Sequence, residues 1–193
     1  MSCNVLVIPE DFRLDQYILQ PLVKAMMRKI GRPSANVRVL TNPLLGGLEQ
    51  AVKLEMLMSI VDQYPLVDLF LLLVDRDGKK ERRQVLDARE RAVGTIISPG
   101  RAFFAQEAWQ EIEVWGLASQ QLPEEWRWSD IRNDPHPKER YYDVFADKRG
   151  IANTLAGGRR QIGRDVSGRY AKIRSRCPEV QTLESRIGAW LQG

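Results

Sequence analysis

Leu69-Phe70-Leu71-Leu72-Leu73-Val74, running straight into Asp75-Arg76-Asp77-Gly78, is the stretch on which the fold turns. Six consecutive apolar residues leave no polar face, so a strand here must be covered on both sides. That is the pattern of a central strand in a parallel sheet layered between helices; a sheet with one wet face would alternate instead. The run ends in two aspartates and a glycine, which turn the chain. They place acidic side chains at the carboxyl end of a strand, the edge where open α/β sheets bind their ligands.

Outward from this strand the pattern repeats. Asn4–Ile8 is a Val- and Ile-rich run stopped by Pro9, and Val37–Leu40 is a third short run; both predict strands. Ile18, Leu22, Ala25 and Met26 predict a helix opened by Asp15 and running to about Lys29, with a kink or a new first turn at Pro21. One helix is predicted over Leu48–Tyr64, closed by Pro65, and a charged one over Lys79–Arg91. Thr95–Ile97 and Ala102–Ala105 predict short strands, and Glu107–Ala118 a helix. Strand and helix alternate, so residues 1–121 are expected to form an α/β core with a mainly parallel sheet. Residues 122–193 differ. Leu122–Pro137 reads as an irregular connector, followed by helices over Gly158–Arg174 and Glu179–Leu191. The last carries an apolar stripe of Val180, Leu183, Ile187 and Leu191, so a helical extension packed on the core is expected.

Composition removes several function classes. The chain has 193 residues, 44% hydrophobic and 28% charged, which is the make-up of a folded domain. The longest apolar run is far below the roughly 18 residues of a membrane span. The start, MSCNVLVIPE, lacks a basic segment and a long apolar stretch, so a cytoplasmic protein is expected. Cys3 and Cys177 cannot make a disulfide framework, and no CxxC exists. His136 is the only histidine, which excludes zinc sites of the HExxH kind. Chemistry is left to carboxylates, lysine, arginine and a hard metal ion.

Charge is unevenly spread. From Arg127 onward there are 14 Lys/Arg against 8 Asp/Glu, whereas residues 1–126 are net acidic. Lys148–Arg176 holds nine basic residues and one acid. Lys148, Arg149, Arg159, Arg160, Arg164, Arg169, Lys172 and Arg174 are therefore candidate contacts to a polyanion backbone, such contacts being salt-sensitive and independent of sequence. A solvated helix face is the alternative. Gly157-Gly158 before Arg159 could offer backbone amides to one phosphate, or be a plain loop.

Three acidic pieces complete the pattern. Asp75 and Asp77 at a strand end suit magnesium, which takes oxygen ligands. Glu10 follows the first strand and reaches the same edge if the two strands are neighbours. Glu111 and Glu113 point about 200° apart on a helix, so both can face one site only if Glu111 stands at the helix entrance. Clustered carboxylates repel unless a cation lies among them.

The succession of strand–Glu10, apolar strand–Asp75-Arg76-Asp77-Gly78 and Glu111-Ile112-Glu113-Val114-Trp115 resembles the Toprim fold. More closely it resembles small standalone Toprim-like proteins of unassigned function, and more distantly the nuclease half of overcoming-lysogenization-defect proteins. Asp134-Pro135-His136-Pro137-Lys138-Glu139 and Arg176-Cys177-Pro178 extend the likeness over most of the chain. The resemblance implies a Rossmann-like sheet and a magnesium- or manganese-dependent nuclease. Glu10 would be general acid/base or metal ligand, Asp75 and Asp77 metal ligands, and Glu113, with Glu111 nearby, the later acidic motif. Lys138 would be the catalytic lysine, with Lys148 second. Glu111 stands where that motif often has serine, and Asp11 where a glycine is common. The resemblance also implies a nucleic-acid substrate, DNA before RNA. It implies a separately encoded ABC- or AAA-type ATPase in phage defence or DNA maintenance, since the chain has no GxxxxGK[ST] motif of its own. Two other readings fit parts of the pattern. One is a non-catalytic nucleic-acid-binding or regulatory subunit. The other is a DxD glycosyltransferase, which leaves Glu10 and the basic segment without a task.

Overall fold

A computed structural model describes residues 3–193. Four strands form one sheet: β1 (Asn4–Ile8), β2 (Asn36–Val39), β3 (Leu69–Asp75) and β4 (Ala102–Ala108). All pairings are parallel and the order is β2-β1-β3-β4. The apolar run is thus an interior strand. Its period-two geometry sends Leu69, Leu71 and Leu73 to one core, and Phe70, Leu72 and Val74 to another on the opposite face.

Helices cover both faces. On the first lie α1 (Phe12–Lys29), α5 (Ile112–Ala118), α8 (Arg159–Gly168), α9 (Tyr170–Arg176) and α10 (Pro178–Trp190). The second is covered by α2 (Leu48–Ala51), α3 (Leu54–Gln63) and α4 (Arg82–Gly94). Val180, Leu183 and Ile187 share the first core with Val5, Val7 and Leu71, so the segment after residue 121 supplies much of one face. Two short helices, α6 (Trp128–Asn133) and α7 (Asp143–Lys148), and a π-helical turn at Lys138–Tyr142 lie within the stretch that joins α5 to α8. No helix among the described residues is long and apolar enough to cross a membrane.

Several predicted boundaries move. α1 opens at Phe12, with Asp11 as its cap accepting the Arg13 amide, and Asp15 lies inside the helix. The helix expected over Leu48–Tyr64 is two, broken at Val52-Lys53. Thr95–Ile97 is not a strand. β4 runs on through Glu107 to Ala108, because it pairs residue for residue with β3 as far as Asp75. The helix expected from Glu107 therefore starts only at Ile112. Gly158–Arg174 divides at Arg169 into α8 and α9.

Pro21 does not break α1. It has no N–H for the Tyr17 carbonyl four residues back, and that carbonyl meets Gly163 of α8 instead. A Cβ on Gly163 would come within 1.9 Å of Tyr17 O and 3.3 Å of Pro21 Cγ. Because the first clash is with backbone, Gly163→Ala must push α8 off α1. Its expected cost is at least the ~1–3 kcal/mol of an overpacked core, read as a fall in the chemical-denaturation midpoint. An unchanged midpoint would contradict this packing.

Candidate active site

The order β2-β1-β3-β4 makes β1 and β3 neighbours although β2 lies between them in sequence. The helix that leaves β1 and the helices that flank β3 lie on opposite faces, so the topological switch point of the sheet falls where these strands end. Glu10 follows β1 and Asp75 ends β3. Glu10 Oε1 accepts the Asp75 amide at 2.9 Å. Asp75 Oδ1 accepts the Ile112 amide at 2.8 Å, which ties the end of β3 to the entrance of α5. Glu111 is the extended residue just before α5, at φ −139° and ψ 153°, and Glu113 is in its first turn. The entrance placement that lets both glutamates serve one site is the one the structure has.

The loop after β3 is tightly held. Asp77 and Gly78 are both left-handed, at φ 52° and 66°. The Arg76 and Asp77 amides donate to Gln110 O, and the Gly78 amide to Gln110 Oε1. Asp77 is thereby turned toward Arg82, its Oδ2 lying 3.6 Å from Arg82 Nη2. Its charge acts on Glu10, whereas the acids that act most on Asp75 are Glu10, Glu113 and Asp15. The two aspartates therefore turn to different partners, Asp75 to the Ile112 amide and Asp77 to Arg82, and do not stand as the side-by-side pair that their spacing suggests.

Crowding and burial raise these acids together. Burial pushes Glu10 above the ordinary glutamate range, and the charges of Asp77 and Glu113 add to it, against the Asp75 amide and Arg82. Burial, then Glu10, Glu113 and Asp15, push Asp75 well above the aspartate range. Asp15, in the first turn of α1, is raised to about 7 by burial and by Glu113, against the Asp11 amide. Glu111 is raised to about 7, first by burial and then by Glu113 and Glu139, although it accepts the Lys138 amide at 2.8 Å.

Two arginines flank the cluster. Arg159, the first residue of α8, forms a buried ion pair with Glu113, side-chain exposures being 5% and 7%. Its Nε has no partner among the described residues. On the other flank is Arg82, the first residue of α4. Lys138 meets the site through its backbone amide, and its side-chain charge acts on Glu111 and Asp143. Lys148 is elsewhere, paired with Glu125 over Trp126.

No protein-family model, curated protein or solved structure matches the chain. The donor set is all oxygen, which suits magnesium or manganese. Each carboxylate already has a protein partner: Glu10 and Asp75 a backbone amide, Glu113 Arg159, and Asp77 Arg82. Among the described residues no group of three acidic, histidine or cysteine side chains is arranged as a cage for a metal ion. The chemistry of the set fits a hard cation, whereas two of its acids, Glu113 and Asp77, are already answered by arginines.

The basic segment is largely spoken for. Arg149 pairs with Asp165, Arg174 with Glu184, and Arg169 and Lys172 donate to the carbonyls of Ser119 and Gln120. Arg159 is a correction: at 4% exposure its guanidinium belongs to the acidic cluster and cannot lie along a polyanion. The Gly157 amide donates to Thr154 O and Gly158 abuts Ile151, so this loop is no phosphate cradle. Of the eight candidates only Arg160 and Arg164 are exposed with neither an acid nor a carbonyl to answer them among the described residues. They line a cavity of about 360 Å³ with Gln16, Tyr17 and Gln20.

Proposed function

We propose that this cluster is the centre of a Toprim-type nuclease, a hydrolase of nucleic-acid phosphodiesters that uses magnesium or manganese. The observation that carries the reading is the hydrogen bond from the Asp75 amide to Glu10, which joins the first-strand glutamate to the DxD strand at the sheet's switch point. Glu10, Asp75 and Asp77 would hold one ion, and Glu10 with Glu113 a second. Bound there, such ions lower the pKa of a water and offset charge on a phosphate. Glu10, held by the Asp75 amide, would bind an ion or carry a proton between water and substrate. The amides of Asp75 and Ile112 orient the Glu10 and Asp75 carboxylates. Arg160 and Arg164 would hold backbone phosphates along α8. DNA is the favoured substrate, and a separate ATPase, as in phage defence, the favoured partner.

The test is cleavage of plasmid, linear DNA and RNA in magnesium or manganese by wild type and by Asp75→Ala/Asp77→Ala. Cleavage by wild type alone, abolished by EDTA, is the expected result. Cleavage surviving the double substitution would sink the assignment. DNA binding that is indifferent to the substitution, with no cleavage, would favour a non-catalytic subunit. Turnover of a nucleotide sugar with nucleic acid untouched would favour a transferase.

A further inference from the structure

A cavity of about 740 Å³ lies along the open edge of β4, between α4 and α10, within the ~300–1,000 Å³ of small-molecule sites. Gln106 lines it although only 5% exposed. Its Nε2 donates to Glu107 O over a long 3.3 Å. Its Oε1 has no partner among the described residues, yet it is not sealed from solvent, so it opens on the cavity. Glu107, 8% exposed, is in the same position: Oε2 accepts from Arg83, and Oε1 has no partner among the described residues. A few fixed polar groups of this kind are what orient a ligand in a cavity.

The charges around the cavity are answered from within. Arg83 pairs with Asp87 and Glu107, Arg132 with Glu179, and Arg186 with Glu90. None of these arginines is left over for a phosphate, so a polyanion backbone does not fit. Nor does a peptide strand, the usual guest of an open sheet edge. The Ala105 amide donates to Glu90 Oε2 and the Ala105 carbonyl accepts from Arg83, which closes the middle of that edge. What fits is a neutral, planar group with hydrogen-bonding edges. Trp109, which also lines the cavity, supplies a plane for it: Arg76 Cζ lies 3.8 Å from the centre of the Trp109 ring and Arg132 Cζ 5.5 Å. Aromatic and guanidinium planes are the surfaces on which unstacked nucleobases lie.

We propose that this cavity binds a nucleobase bearing an exocyclic amine, adenine before the others. Gln106 Oε1 accepts from the amine and the amide's second N–H answers a ring nitrogen, the pairing that glutamine makes with adenine. Glu107 Oε1 is a further acceptor, and thymine and uracil have no amine to give it. The inference rests on the nuclease reading for the source of the base, an unstacked base of the nucleic acid beside the reacting phosphate; a free nucleoside carries the same chemistry. Ala108 pairs in register with Asp75, and neighbouring strands are about 5 Å apart. Glu107 and Trp109, on either side of Ala108, therefore put the cavity next to the acidic cluster.

The full-length protein, ¹⁵N-labelled and in EDTA, would be titrated with adenosine, with thymidine, and with twelve-residue adenine and thymine oligodeoxynucleotides. The Gln106 side-chain amide and Trp109 indole signals are expected to move with adenosine and the adenine strand. Each should bind about tenfold more tightly than its thymine counterpart. Gln106→Leu, similar in volume, is expected to erase that preference. Purine riboside, which is adenosine without its amine, should bind wild type about tenfold more weakly, and it gives the same reading should Gln106→Leu fold poorly. Equal affinity for adenosine and thymidine would overturn the pocket, as would an adenine preference that survives Gln106→Leu. A preference shown by strands as well as nucleosides assigns the pocket to the substrate; one shown by nucleosides alone assigns it to a free nucleoside. Cleavage of both strands in magnesium with no base preference in binding would remove the pocket and keep the nuclease. Base-selective binding in a protein that cuts neither strand would keep the pocket and remove the nuclease.

Discussion

Arg159→Ala is expected to cost about 3–5 kcal/mol, because it strands Glu113 as a buried charge with no counter-ion. Both side chains are more than nine-tenths buried, and Glu113 also faces the charges of Glu10, Asp75 and Asp15. At about 2–4 °C per kcal/mol for a chain of this size, the melting temperature should fall by ~10 °C or more. Replacing both partners, Arg159→Met with Glu113→Leu, should cost far less, since burying an ion pair is itself expensive. Thermal melts of the single and double variants separate the two cases; equal losses would mean that Arg159 contributes by packing alone. Magnesium supplies a further arm. If the acids accept a divalent cation, Arg159→Ala should gain more melting temperature from millimolar magnesium than wild type does, because cation and guanidinium answer the same charge. No gain in either protein would remove the metal from the proposal.

Much of this site is legible in the sequence because it depends on strand ends. Leu69–Val74 can only be an interior strand, which fixes where Asp75 emerges, and Pro9 stops the first strand so that Glu10 emerges at the same edge. What stays hidden lies on helices and in loops. Asp15 reads as a helix opener because its exposure depends on which face of α1 meets α5, and no local pattern states that. Asp11 and Asp15 at i and i+4 are the available signal, since that spacing puts Asp15 one turn inside a helix capped by Asp11. Arg82 is lost among the charges of Lys79–Arg91. It is distinguished only by burial, which arises because α4 starts against the DxD loop. The eight basic candidates mislead for the opposite reason. Their bias in composition is real, but the acids and carbonyls that answer six of them come from residues 113, 119–125, 165 and 184, some distant in sequence, and leave only Arg160 and Arg164 open.

Asp15→Asn is expected to stabilise the protein, and to do so only above acidic pH. In the folded chain the Asp15 carboxyl is raised from 3.8 to about 7, chiefly by burial and then by Glu113. Between those values the folded protein holds a proton that the unfolded chain has released, so stability falls as pH rises. The full stability is present below pH ~4, and the loss is complete above pH ~7. The gap, at about 1.4 kcal/mol for each pH unit, bounds the loss at about 4 kcal/mol, of which about 2–4 should be recovered by a neutral amide. Asparagine keeps an oxygen for the Asp11 amide, which donates to Asp15 Oδ2 at 3.3 Å. Melts in EDTA should therefore show the Asp15→Asn variant with a gain of ~5–10 °C at pH 8 and almost none at pH 4. Wild type should itself lose stability across that span, since Glu10, Asp75 and Glu111 are raised in the same direction. A gain that is the same at both pH values would mean that Asp15 destabilises through shape and not through charge. If Asp15 instead helps to draw in a cation, the same variant will be more stable and less active, a pairing that a merely structural carboxylate does not produce.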